Sequence, residues 1–312
     1  MRFRRILLSL LLVFMLLFLV GMGTFVYYSF KAVPTVSAVQ ETPTEEPTPT
    51  PSPTPSPSPT PSPTPTPLMN GVEAYMQDVN TDRVLFNSNS ARRVPIASTT
   101  KIMTAVVTIE NSDPNAIEQV SQADLDQLPP GASVAQLHAG DYLRIRHLLY
   151  GLLIPSGCDA ALTLARVVGG STDNFVAMMN AKAQALGMTY THYSNPHGAI
   201  SEDNYSSAQD LVKLARYAMQ YQLFAEIVRQ ASYDIRPTQY NRFYHWDNTN
   251  QLLTTYNGMI GIKTGSGSGA GYCMVFEAVR NGRIIVGAEL GAPDFDVLFS
   301  DVARLLDKGF AS

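Results

Sequence analysis

Cysteine is scarce in this chain: two residues among 312, Cys158 and Cys273. That count excludes a disulfide-stapled scaffold. Both thiols stand in apolar stretches, which favours buried free cysteines over a bridge. Histidine is thin as well. The five, His138, His147, His192, His197 and His245, are scattered without His-Glu-x-x-His spacing, so no metal site is expected. Charged residues make up only 15%, with a net charge of -4. No basic patch stands out, and nucleic acid is not an expected partner. A fixed-period repeat is also missing. What remains is 45% hydrophobic residues, enough for one large domain or two small ones.

The apolar residues are unevenly placed. Arg2, Arg4 and Arg5 precede an apolar run from Ile6 to about Tyr28. A cleavable signal has an apolar stretch of roughly 7–15 residues. This run instead matches the roughly 20 residues that cross a hydrocarbon core. Positive charge stays on the cytoplasmic side, so the rest of the chain is expected outside. Residues 1–31 are therefore read as a single-pass transmembrane helix anchoring the protein in the cell membrane. A late cleavage site at Val36-Ser37-Ala38 ranks second. Residues 32–68 read as a linker. From Pro47 to Pro67 every second residue is proline, alternating with Thr or Ser. Such a segment cannot join a helix or sheet. As polyproline II, the stretch from Pro43 to Pro67 spans roughly 80 Å. Its hydroxyls are candidate sites for sugars.

The folded part is expected over residues 69–312. Two short strands, 71–79 and 83–86, flank turn chemistry at Asn80-Thr81-Asp82. Helices are expected over 98–110, 157–168, 172–186 and 206–221. Strands 272–280 and 283–290 meet at Asn281-Gly282, the strongest short hairpin signal. An amphipathic helix follows over about 295–309. Strands at both ends and helices between them imply an α/β (α+β) fold: one antiparallel sheet built from N- and C-terminal strands, with helices on both faces.

Three short motifs carry chemistry. In Ser98-Thr99-Thr100-Lys101 the serine and lysine are three apart and share a helix face. A serine needs a base to become a good nucleophile. A lysine is such a base when burial or nearby positive charge lowers its pKa. The apolar residues after Lys101 place the pair at the head of a buried helix, where an idle lysine is costly. Ser156-Gly157-Cys158 follows an apolar run and Pro155; taken alone, Ser156 reads as a cap, with Asp159 helping to start the next helix. Lys263-Thr264-Gly265-Ser266 reads as a strand offering a cation and hydroxyls to a carboxylate, with Gly265 permitting close approach. A phosphate loop is rejected, because no glycine directly precedes Lys263 and a strand follows. The charges over 141–146 read as a solvated face, and Tyr244 and Trp246 as core packing.

These three motifs, in this order, occur together in serine β-lactamases and penicillin-binding proteins. The chain resembles the serine D-alanyl-D-alanine carboxypeptidases, the low-molecular-mass penicillin-binding proteins. The resemblance extends to the flanks Arg93-Val94-Pro95-Ile96-Ala97, to Asn195-Pro196-His197-Gly198, and to Ala270-Gly271-Tyr272-Cys273. It implies a β-lactamase/transpeptidase-like fold that uses no cofactor. Its implied partners are peptidoglycan stem peptides ending in D-Ala-D-Ala, with β-lactam antibiotics as covalent inhibitors. It also implies roles: Ser98 as nucleophile, Lys101 as proton acceptor, Ser156 as proton relay, Lys263 and Thr264 on the terminal carboxylate. Gly265, Ser266 and Cys158 would line the substrate, with the backbone amides of Ser98 and Ser266 around the oxyanion. Two positions depart from the family pattern. Cys158 stands where asparagine is usual, and a thiol hydrogen-bonds weakly. That opens a DD-transpeptidase alternative, in which an amine competes with water. Asn204 stands where a histidine is usual, with little effect expected. The rivals are a β-lactamase and a non-catalytic cell-wall-binding module.

Overall fold

A computed structural model describes residues 68–199 and 203–312. The anchor expected over 1–31, and all of the linker over 32–68 except Leu68, lie outside the described residues. Among the described residues, no helix is long and apolar enough to cross a membrane.

Strands β1 (Glu73–Asp78) and β2 (Val84–Ser88) form the first hairpin. The short strands β3 (Val94–Pro95), β4 (Ile117–Gln119), β5 (Tyr142–Arg144), β6 (Tyr205–Ser206), β7 (Ser232–Ile235) and β8 (Tyr244–Asp247) pair as β3–β6, β4–β5 and β7–β8. Three long strands complete the set: β9 (Met259–Gly267), β10 (Gly271–Arg280) and β11 (Arg283–Ala292). The central sheet runs β2-β1-β11-β10-β9, antiparallel throughout. The first and last strands of the folded part are thus neighbours.

Alternation along β10 and β11 explains why both sheet faces are covered. Met274, Phe276, Ala278 and Ile285 belong to one core cluster, and Cys273, Val275, Val286, Ala288 and Leu290 to the other. A period of two sends successive side chains to opposite faces. Opposite Phe276 stands Gly287, where an added Cβ would lie 2.3 Å from the ring. Asn281 and Gly282 both take positive φ, 51° and 77°, as a two-residue type I′ hairpin requires.

The helices are α1 (Lys101–Asn111), α2 (Gln122–Leu125), α3 (Ile145–Leu153), α4 (Cys158–Gly169), α5 (Thr172–Ala185), α6 (Ala208–Ala218), α7 (Gln222–Val228), α8 (Leu252–Thr255) and α9 (Phe295–Ala311). Helix α9 packs on one face of the sheet, against β10 and β11. Helix α6 packs on the other, against β1 and β11, and α1, α4 and α5 lie beyond it. Side-chain caps set several starts. Ser171, Ser207 and Asp294 accept from Asn174, Asp210 and Val297 main-chain N–H groups at 3.2, 3.3 and 2.8 Å. The helix expected from residue 206 therefore begins after Ser207.

Two local expectations are corrected. Residues 97–100 form a 3-10 turn, and the α-helix starts at Lys101 rather than Ser98. Asp141 is buried, not solvated: Tyr244 donates its hydroxyl to it at 2.6 Å and the Arg242 main-chain N–H at 3.1 Å. The partner strand that covers it is a hundred residues away in sequence, beyond the reach of local charge patterning.

Candidate active site

The Ser98 turn is held tightly. The Ile96 carbonyl accepts the Thr99 main-chain N–H at 3.2 Å and its hydroxyl at 2.7 Å, while Ala97 takes a left-handed φ of 45°. The turn leaves Ser98 partly exposed and Lys101 fully buried. Lys101 Nζ donates to Ser98 Oγ at 2.9 Å, to the His197 carbonyl at 2.6 Å and to Cys158 Sγ at 3.4 Å. Burial lowers the Lys101 pKa, which the Cys158 sulfur and the Asp159 carboxylate partly counter.

The second motif sits where α3 ends and α4 begins. Ser156 is buried in a left-handed conformation, φ 67°, and its hydroxyl has no hydrogen-bond partner among the described residues. An unpaired buried hydroxyl costs stability and marks a group set aside for something else. Gly157, not Asp159, occupies the cap position of α4. A Cβ there would lie 2.7 Å from the Gly151 carbonyl and 2.8 Å from Ala135 Cβ. Asp159 lies in the first turn of α4, accepting the Ala160 main-chain N–H at 2.9 Å, and also ties down the neighbouring loop, accepting the Ala135 and Leu137 main-chain N–H groups at 2.8 and 2.9 Å. Trp246, buried as expected, donates from Nε1 to the Ala135 carbonyl at 2.8 Å.

The third motif lies on β9, which runs beside the Ser98 turn. An added Cβ on Gly265 would come within 3.0 Å of both the Ile96 carbonyl and Ser98 N. Only glycine lets the strand approach so closely. Lys263 is fully buried and donates to the Thr264 carbonyl at 3.1 Å. Its pKa falls well below the ordinary value through burial and the nearby Lys101 ammonium. Thr264 and Thr249 share a hydroxyl–hydroxyl bond of 2.6 Å. Ser266 is exposed at the open end of the strand, opposite Tyr272.

The three motifs therefore converge: Lys101 touches Ser98 and Cys158, and Gly265 abuts Ser98. Ion pairs of lysine among the described residues involve only Lys182 and Lys213. Neither site lysine thus makes a direct ion pair with a carboxylate, an arrangement suited to an anionic ligand. Sequence reasoning missed the His197 carbonyl, a main-chain atom that residue type does not encode. It also missed Thr249. Asn204, singled out as a departure from the family pattern, donates its amide to Thr100 Oγ1 at 3.0 Å inside the core. Both cysteines are free and buried, as expected.

Comparison with known proteins agrees with this geometry. The sequence pattern of the D-alanyl-D-alanine carboxypeptidase family matches residues 63–294. The chain belongs to that family. Its members are serine hydrolases, and the fold is transpeptidase-like, with an antiparallel sheet and helices. A D-alanyl-D-alanine carboxypeptidase of Streptomyces sp. (strain K15) is 36% identical over 253 residues, 77% of this chain and 87% of that protein. D-alanyl-D-alanine carboxypeptidase DacF of Bacillus subtilis (strain 168) is 31% identical, over 76% of this chain but only 61% of its own length. The crystal structure of the Streptomyces K15 DD-transpeptidase superposes with a TM-score of 0.76 at 37% identity, covering 80% of this chain and 100% of that one. The family acts on D-Ala-D-Ala peptides and binds β-lactams.

Proposed function

We propose that this family member removes the terminal D-alanine from peptidoglycan stem peptides through an acyl-enzyme on Ser98. Lys101 takes the proton of Ser98 Oγ as that oxygen attacks the carbonyl carbon of the penultimate D-alanine. The oxyanion lies between the backbone amides of Ser98 and Ser266. The carbon–nitrogen bond to the last residue breaks, and Ser156 relays a proton to the departing amine. Lys263 and Thr264 hold the terminal carboxylate, Gly265 leaves room for the peptide, and Cys158 faces its amide. Water then cleaves the ester.

The observation that carries this reading is the 2.9 Å bond from a fully buried Lys101 to Ser98 Oγ. Labelling with a fluorescent penicillin tests it. Wild type should take a covalent label that Ser98→Ala abolishes. An unlabelled wild type, or a label that survives the substitution, would overturn it.

A second reading, transfer to an amine acceptor, draws on Cys158. Its sulfur is a weak partner for Lys101 at 3.4 Å, and a DD-transpeptidase is among the structural relatives. Mass spectrometry with a diacyl-D-Ala-D-Ala peptide separates the two. Addition of water means hydrolysis; addition of the amine means transfer. A β-lactamase reading is disfavoured. It needs a carboxylate for the deacylating water, and the nearby Asp159 is occupied by the Ala135, Leu137 and Ala160 N–H groups.

Residues 1–31 complete the proposal as a membrane anchor and 32–68 as a spacer, with the catalytic domain, 69–312, on the cell-wall side. The basic start and long apolar run support this. Externally added protease should clip the linker of intact spheroplasts and release active domain; protection from the protease would sink the topology.

A further inference from the structure

Lys101 has three donors, and the shortest of its bonds goes to a main-chain oxygen, the His197 carbonyl at 2.6 Å. That oxygen is held in place by a turn with its own bracing. Asn195 Oδ1 accepts the main-chain N–H groups of His197 at 3.2 Å and Gly198 at 2.7 Å. Its Nδ2 donates to the Ala199 carbonyl at 3.1 Å. From α1, the Thr104 hydroxyl donates to the Pro196 carbonyl at 2.5 Å. Gly198 has φ +82°, and an added Cβ would stand 2.0 Å from the Ala97 carbonyl, one residue before Ser98. The turn thus meets the reactive segment twice, at Lys101 Nζ and behind Ser98.

Other groups face the lysine too. Cys158 and Asp159 approach from α4, Lys263 from β9, and Ser98 from its own turn. The His197 imidazole adds no charge. Its Nδ1 accepts the Ala199 main-chain N–H at 3.0 Å, and burial with the Lys101 ammonium pushes its pKa down to about 4. What the turn presents is therefore a fixed carbonyl dipole. Such a dipole orients the ammonium and favours its charged form. Misplacing a reacting group by an ångström costs about a hundredfold in rate.

We propose that Asn195 is a positioning residue for the acyl-transfer reaction, holding the His197 carbonyl so that Lys101 Nζ is aimed at Ser98 Oγ. The inference rests on the acyl-enzyme reading above. It assigns the Asn195–Gly198 turn a task beyond closing the chain after α5.

The test uses the full chain and a fluorescent penicillin, with the acylation rate followed against pH and the melting temperature of each variant recorded. Asn195→Ala frees the carbonyl. Its plateau rate should fall about 10- to 100-fold. The acid limb of its profile should move to lower pH, because the charged lysine loses an acceptor. Asn195→Asp keeps an oxygen over the same two N–H groups and adds negative charge. Its plateau should lie closer to wild type than to the alanine variant, with the limb moved to higher pH. Wild-type plateau and limb in the alanine variant overturn the proposal. So does a lowered plateau with an unmoved limb, which a merely structural turn would give. If the alanine variant does not fold, an unmoved limb in the aspartate variant overturns it. A wild type that takes no label defeats the acyl-enzyme reading and this inference with it; a labelled wild type with indifferent variants defeats the inference alone.

Discussion

At the scale of single residues, the site trades stability for chemistry. Lys263 is fully buried with one hydrogen bond, to the Thr264 carbonyl, and no carboxylate beside it. Burial of a charge without a partner is costly, and functional groups commonly carry such a cost. Lys263→Met should therefore raise stability by ~1 kcal/mol in chemical denaturation, while kcat/KM on D-Ala-D-Ala peptides collapses. A variant that loses both stability and activity would contradict this account. Cys158 is the other informative position. Its sulfur accepts only a weak hydrogen bond from Lys101, at 3.4 Å. Cys158→Asn supplies an amide donor and acceptor at the same place. The expected outcome is a larger share of hydrolysis over transfer when product mass is measured with a competing amine present; an unchanged ratio would remove the thiol from the explanation.

Among elements, the β10–β11 hairpin shows how local chemistry and packing separate. Gly282 sits at φ +77° with open space around it. Gly282→Ala meets only backbone strain, ~1 kcal/mol, or about 2–4 °C in melting temperature. The turn lies at the end of the sheet away from Ser266, so the penicillin-labelling rate should not change. Gly287 lies on β11, in the core. A methyl group there would meet Phe276 at 2.3 Å. Gly287→Ala should cost more, ~1–3 kcal/mol, by overpacking. Comparable losses at the two glycines would show that turn strain outweighs packing here.

For the molecule as a whole, the start of the described chain is pinned to the end of the fold. Asp301 on α9 accepts the Asn70 main-chain N–H and, at 3.1 Å, its side-chain amide, and pairs with Arg304. Beside it lies Glu289 on β11, fully buried, whose protonated carboxyl can donate to Asp301. Burial, reinforced by the Asp301 carboxylate, pushes Glu289 up to about 9. The folded protein thus keeps a proton that the unfolded chain gives up near 4.5. Stability from this group is fully present below that lower value and is lost as pH rises toward 9. The two site lysines act oppositely: their lowered pKa values make stability rise with pH toward 10.5. Glu289→Gln removes the carboxyl contribution alone. The stability of the variant relative to wild type should therefore climb between pH 4.5 and 9; a difference independent of pH would reject the assignment.

Sequence alone determined much of the local structure and the chemical repertoire. The Asn281-Gly282 hairpin, the helices after Ser171 and Asp294, and the serine–lysine pair three residues apart all rest on neighbours along the chain. Propensity, capping and turn chemistry act over that range. Tertiary structure alone decided what meets what. It buried Asp141 under Tyr244, left the Ser156 hydroxyl unpaired, laid Gly265 against Ser98, and set a main-chain oxygen of His197 on Lys101. The reason is physical. Carbonyl oxygens are alike at every position, so a task given to one leaves no mark in residue type, and contacts across a hundred residues arise only when the whole chain packs.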